Sequence, residues 1–150
     1  MYTTELASKQ RKKFWTIFGQ YMKPVPGAGG EAVNWLNYKT GVRSVFFRMD
    51  ADKQNARVGI EIQHALEADR IHYYNHFIAL KKLLEQTTGT KWQWHAAIVD
   101  ENGQTISRIS QSLNNVTVLA ESDWPSIIAF LKEHITALDA FWDTVKDGFE

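Results

Sequence analysis

Asp50 and the run Glu61-Ile62-Gln63 are the residues in which metal chemistry could first be sought. Two carboxylates on neighbouring strands can hold Mg²⁺ between them, while a lysine two residues beyond the second acid polarises the attacking water. Here Gln63 stands where that lysine is wanted, and no proline precedes Asp50. The expected geometry is worse. With Asp50 set opposite Asn55, about six residues of strand separate it from Glu61, on the order of 20 Å at the rise of an extended chain. Two ligands of one ion cannot stand that far apart.

His72 and His76 are spaced i, i+4, which puts both imidazoles on one face of a helix. Such a pair could share Zn²⁺ with a third ligand from His64 or Glu61. Tyr73 occupies the place of the glutamate that follows the first histidine in metalloprotease helices. The bland reading is two polar-tipped rings at the border of an apolar stripe. His134, within the last helix's apolar stripe, and His95, in a strand, read as packing residues. No Gly-x-Ser-x-Gly is present, and Gly27 to Gly30 follow a helix and lack Lys-Ser or Lys-Thr, so neither a serine nucleophile nor a phosphate cradle is indicated.

The cationic residues carry a different chemistry. Lys9, Arg11, Lys12 and Lys13 cluster on the first helix, and Arg43, Arg48 and Arg57 populate one hairpin with Phe46 among them. Guanidinium groups beside an aromatic ring suit phosphates and stacked bases. In the register above, Arg48 faces Arg57, and two like charges across a pair are unfavourable unless an anion or a carboxylate intervenes. The competing reading is a solvated helix face plus pairing with Glu61 or Asp50.

These residues need elements to hold them. Val58, Ile60 and Ile62 alternate with Arg57, Glu61 and Gln63, the period-2 mark of a half-buried strand over 56–64. Val42 to Asp50 pairs with it as a hairpin, joined by the polar stretch from Asp50 to Asn55. Tyr73, Phe77, Leu80 and Leu84 predict one helix over about 69–86. A first helix is expected over 4–22, with Leu6, Phe14, Ile17, Phe18 and Tyr21 on one face, closed by Pro24 and Pro26. Lys91 to Val99 and Thr105 to Leu113 form a second hairpin around Asn102-Gly103. Val116 to Leu119 is a short fifth strand, and Ser122 caps a last helix reaching about Lys146, with Ile127, Leu131, Ile135, Leu138, Trp142 and Val145 on its stripe.

Composition bounds the rest. One domain of 150 residues can bury a core without staples. With no cysteine, disulfide and thiolate chemistry are excluded. Basic and acidic side chains balance at 17 each, so no global field draws the chain to nucleic acid or acidic membranes, although a local patch still could. No apolar run is long enough for a membrane span, and the first 13 residues lack the core of a signal peptide, so a cytoplasmic protein without membrane association is expected.

The run Lys9 to Phe18, KQRKKFWTIF, and the later Gly89 to Trp94, GTKWQW, resemble the landmarks of an uncharacterised bacterial domain-of-unknown-function family. In that family a basic residue, Phe-Trp and a further Phe open a helix, and the second motif enters a strand after a Leu/Glu-rich helix. Members occur alone or as the C-terminal part of longer proteins, some with a nuclease-like N-terminal domain. The resemblance implies an accessory role near nucleic acid or defence. It supplies no catalytic residues.

The expectation is therefore a single α+β domain with one mostly antiparallel sheet of four or five strands and about three helices, in the order α-ββ-α-ββ(β)-α. Its expected role is a non-catalytic recognition or assembly module. The binding residues would be Arg48, Arg57 and Glu61 on the outer hairpin face, with Lys12 and Lys13 as a second patch. Nucleic acid or a protein is the partner, a homodimer through a sheet edge or aromatic patch is a further option, and no cofactor is required. The alternative is a degenerate metal-dependent nuclease or a histidine metal site.

Overall fold

The computed structural model describes residues 3–149. Its first helix, α1 (Thr4–Met22), begins where the Thr3 hydroxyl accepts the Leu6 N–H at 3.1 Å, an N-cap that satisfies one orphan donor of the first turn. Phe14, Phe18 and Met22 form its buried stripe. Leu6, Ile17 and Tyr21, expected on the same face, stay exposed. α1 packs on the last helix, with Phe14 edge-on to Trp124 at 5.5 Å, and a single helix covers only the i, i+4, i+8 row it meets.

The sheet is antiparallel with strand order β1-β2-β4-β3: β1 (Val45–Ala51), β2 (Asn55–Ile62), β3 (Gln93–Val99) and β4 (Thr105–Asn114). The first hairpin is registered two residues away from the expected pairing. Val45 faces Ile62, Arg48 faces Gly59, and Asp50 faces Arg57. The cause lies in the turn. The Asp52 carboxylate accepts the N–H groups of Gln54 and Asn55 at 2.8 and 2.7 Å, an Asx-type turn that shortens the connection to 52–54. A slip of two preserves which side chains face the core, whereas a slip of one would have inverted them. The expected faces therefore survive while every cross-strand partner changes, and the opposition of Arg48 to Arg57 disappears.

Two helices replace the one predicted over 69–86: α2 (Glu67–Ala79) and α3 (Lys81–Thr88), broken at Leu80 with φ −100 and ψ 8. Gly89, at φ 74, closes α3, a left-handed position that glycine occupies without strain. The predicted fifth strand joins no ladder. Val116 and Val118 instead donate to the carbonyls of Gln54 and Asp52, so the segment follows the tip of the first hairpin. The last helix, α4 (Trp124–Val145), is preceded by a 3-10 turn at Glu121–Asp123, and Ser122 does not cap it. Ile127, Leu131, Ile135, Leu138 and Trp142 are buried as their spacing predicts. The 3-10 turn Lys146–Phe149 then folds back and buries Phe149.

Val45, Phe47, Ala51, Ala56, Val58, Ile60, Ile62 and Ile109 share one core with residues of α1, α2, α3 and α4. Fully burying side chains of this size stabilises by roughly 1.5–3 kcal/mol each. The opposite face of the sheet, carried by Phe46, Arg48, Arg57, Gly59, Glu61, Arg108 and Ser110, contributes nothing to that core. No described helix is long and apolar enough to cross a membrane.

Candidate functional site

The helix-free face reads as rows across the strands. One row runs Phe46, Glu61, Arg108, His95 from β1 to β3; the next runs Arg48, Gly59, Ser110, Gln93. Gly59 is there because β2 and β4 approach closely: a Cβ at this position would lie 2.3 Å from the Ile109 carbonyl oxygen, a separation no side chain tolerates. Arg48 consequently has no side chain opposite it on β2. Its guanidinium carbon rests 4.3 Å from the centre of the Phe46 ring, a cation–π contact that holds an exposed charge over an aromatic plate.

Glu61 is buried in the centre of the face, only 8% exposed. Arg108 donates to its Oε2 through Nε at 3.0 Å, with Nη2 2.9 Å from the same oxygen in an ion pair, and the Gln63 amide donates to Oε1 at 2.9 Å. Arg57 instead reaches Asp50 at 3.8 Å, with both side chains partly exposed. Arg48, Arg57 and Glu61 thus share the face, as expected, but Glu61 is paired with neither arginine. No local pattern in the sequence signals its partner, Arg108, because adjacency of β4 to β2 is a property of strand order. The face carries three guanidinium groups, Arg48, Arg57 and Arg108, against the two carboxylates Asp50 and Glu61. Among the described residues, Arg48 is the one of these charges that forms no ion pair.

The second cationic patch lies elsewhere. α1 belongs to the helical layer, and Lys13 is tied to Glu121 at 3.1 Å and lies 5.8 Å from the Trp124 ring. The hydrogen bond from Lys13, followed by that from Gln10, draws the Glu121 pKa below its ordinary range. Lys12 remains exposed on the same helix. Neither lysine joins the outer sheet face.

His72 and His76 do not converge on a shared site. His72 is exposed and meets Tyr73 edge-on, whereas the His76 ring stacks on Phe149 at 3.9 Å. His64 stacks on Tyr73 at 4.5 Å, and burial lowers its pKa, with Asp69 opposing and Arg43 adding to the shift. Among the described residues no group of three His, Asp or Glu side chains could hold a metal ion. Asp50 and Glu61 are four residues apart in the observed register, about 13 Å along a strand, still too far for one ion. His134 makes the packing contacts expected of it: Nδ1 lies 2.8 Å from the Phe130 carbonyl, and its ring meets Trp92 edge-on.

A second polar cluster sits in the helical layer. Asp139 of α4 is 5% exposed, accepts the Ala28 N–H at 2.7 Å and is hydrogen-bonded by the Tyr38 hydroxyl. Burial first, then this hydrogen bond and the Asp139 charge, pushes the Tyr38 hydroxyl far above its ordinary pKa. The pair borders a cavity of about 310 Å³ between the 31–41 loop and α4, floored by Trp142. Its chemistry is that of an anchor: it fastens the Pro/Gly loop to the helix. The signal was available in the sequence, since an aspartate four residues after Ile135 and beside Leu138 interrupts an apolar stripe.

No curated protein and no solved structure matches the chain. The family described as Domain of unknown function (DUF4268) matches residues 10–146. That span takes in most of α1, the whole sheet and α4, including both the outer face and the Asp139 anchor, and the chain therefore belongs to this family.

Proposed function

We propose that the domain is a non-catalytic recognition module whose helix-free sheet face receives single-stranded nucleic acid. The observation that carries this reading is the Arg48–Phe46 plate, a charged guanidinium held on an aromatic ring with bare backbone at Gly59 opposite it. A base can stack on such a plate while its phosphate meets Arg48 or Arg57, the combination that four-stranded sheets use to bind single strands. The Glu61–Arg108–Gln63 cluster would act as the rigid centre of the platform. An accessory role beside proteins that process nucleic acid follows from such a surface.

Because the face has an excess of one positive charge, affinity should be modest and salt-sensitive. Fluorescence anisotropy with labelled single-stranded DNA and RNA at low ionic strength tests the reading. Binding that falls with added salt and is lost in the Arg48→Ala, Arg57→Ala double variant supports it. A wild-type protein that binds neither strand at low salt ends it.

A further inference from the structure

The sheet has two edges, and they differ. On the β1 side, Phe47 and Ala51 are almost wholly buried, at 5% and 2% exposure. On the β3 side, Gln93, Ala96, Ala97 and Val99 are exposed, and Val99, at 69%, is the most exposed of the large apolar side chains described. No charged residue occurs from Gln93 to Val99. Edge strands ordinarily carry lysine, proline or inward-pointing charge, which discourage pairing with another chain. β3 has only a bulge between His95 and Ile98.

The bulge fixes which groups face outward. Asp100 donates to the Gln104 carbonyl, so Ile98, two residues before it, also bonds to β4, and Ala97 and Val99 turn away from the ladder. Beyond the bulge, His95 and Gln93 bond to Arg108 and Ser110, which turns Trp94 outward. The Ala96 carbonyl is held inside by Arg70 and Ser107. Among the described residues, no hydrogen bond from outside the sheet reaches the backbone of Trp94, Ala97 or Val99.

We propose that this edge pairs with the same edge of a second copy of the chain, antiparallel about a two-fold axis between His95 and Ala96. The extra residue of the bulge makes the edge self-complementary. In that register outward-facing Trp94 lies opposite outward-facing Ala97 of the second copy, and Val99 opposite Trp92. The half-buried Trp94 ring thereby meets a small residue, while Val99 meets the backbone of Trp92, whose ring stays in the core of its own copy. At both ends Lys91 lies opposite Asp100 of the second copy, a charge match made twice by symmetry. The result is a continuous eight-stranded sheet with β3 no longer at an edge. This inference does not depend on the nucleic-acid reading.

Sedimentation of the full chain from low-micromolar to millimolar concentration tests it, with circular dichroism to check folding. A reversible dimer is expected. Ala97→Lys and Val99→Asp, both at exposed positions, should each raise the dimer dissociation constant about tenfold or more. Since the chain contains no cysteine, Ala96→Cys places one thiol beside the two-fold, and a disulfide dimer should form faster than with Gln20→Cys on α1. A monomer at every concentration overturns the proposal. So does a dimer that Ala97→Lys and Val99→Asp leave unchanged, or Ala96→Cys linking no faster than Gln20→Cys.

Discussion

Two carboxylates are buried among the described residues, and they are satisfied in opposite ways. Glu61, on the open face of the sheet, is answered by a full positive charge from Arg108 and by the Gln63 amide. Asp139, in the helical layer, receives one backbone N–H and one hydroxyl and forms no ion pair with any described side chain. The first arrangement leaves an immobile, nearly neutral centre on a surface whose rim still carries an uncompensated arginine. The second is held by dipoles alone and is sealed beneath a loop. A charge pair near solvent is compatible with a recognition surface, because it rigidifies the face without consuming Arg48. A buried acid held by a loop amide and a tyrosine is compatible with fastening, because it works only while the loop stays in place.

Removing one member from each cluster sharpens that contrast. Glu61→Ala leaves the Arg108 guanidinium largely buried without its counter-charge and should cost about 3 kcal/mol, read from urea unfolding. The double replacement Glu61→Leu, Arg108→Leu should recover most of that loss, since removing both partners of a buried pair is often close to neutral. Asp139→Ala strands the Ala28 N–H and the Tyr38 hydroxyl, and about 2 kcal/mol of lost stability is expected. Loosened protection of amides in the 25–41 loop, measured by hydrogen exchange, should accompany it. If Asp139→Ala instead destabilised the sheet amides first, the anchor assignment would be wrong.

The anchor should also respond to alkali. The Tyr38 hydroxyl is raised in the folded state, so above the ordinary tyrosine value of about 10 the unfolded chain loses this proton while the folded chain keeps it. Its contribution is complete below that pH and is lost as the pH rises. Tyr38→Phe should show a flatter alkaline limb in chemical unfolding than the wild type. A smaller effect is expected at the acid end. His64 is held neutral by burial, so its contribution is present above about 6.5 and declines as the pH falls through the lowered folded value. His64→Phe should shave that acidic loss. The smallest change in stability belongs to Arg48→Ala, within about 0.5 kcal/mol, even though it should weaken any salt-dependent strand binding the most.

Much of this architecture was legible in the residues. The alternation of Val58, Ile60 and Ile62, and the stripe from Ile127 to Trp142, located β2 and α4 because burial on one face imposes a period. What local pattern could not supply was partnership. The first hairpin slid by two residues because one side chain, Asp52, captured two turn amides, and the faces were indifferent to that slide. Leu80 broke a helix whose apolar spacing ran through without interruption. The outer position of Arg48, Arg57 and Glu61 was foreseeable from parity, whereas the pairing of Glu61 was not.

By itself the sequence determined the two ribbons, the apolar stripes of the helices, the absence of thiol chemistry and the side of β2 on which Glu61 lies, since each of these depends on composition or on repeats of two and 3.6. Tertiary structure alone decided that β4 inserts between β2 and β3, which brings Arg108 to Glu61 and leaves the β3 edge bare. It also decided that a loop more than 100 residues away in sequence closes on Asp139. Contacts between distant segments depend on how whole elements fill space together, and no window of the chain encodes that choice.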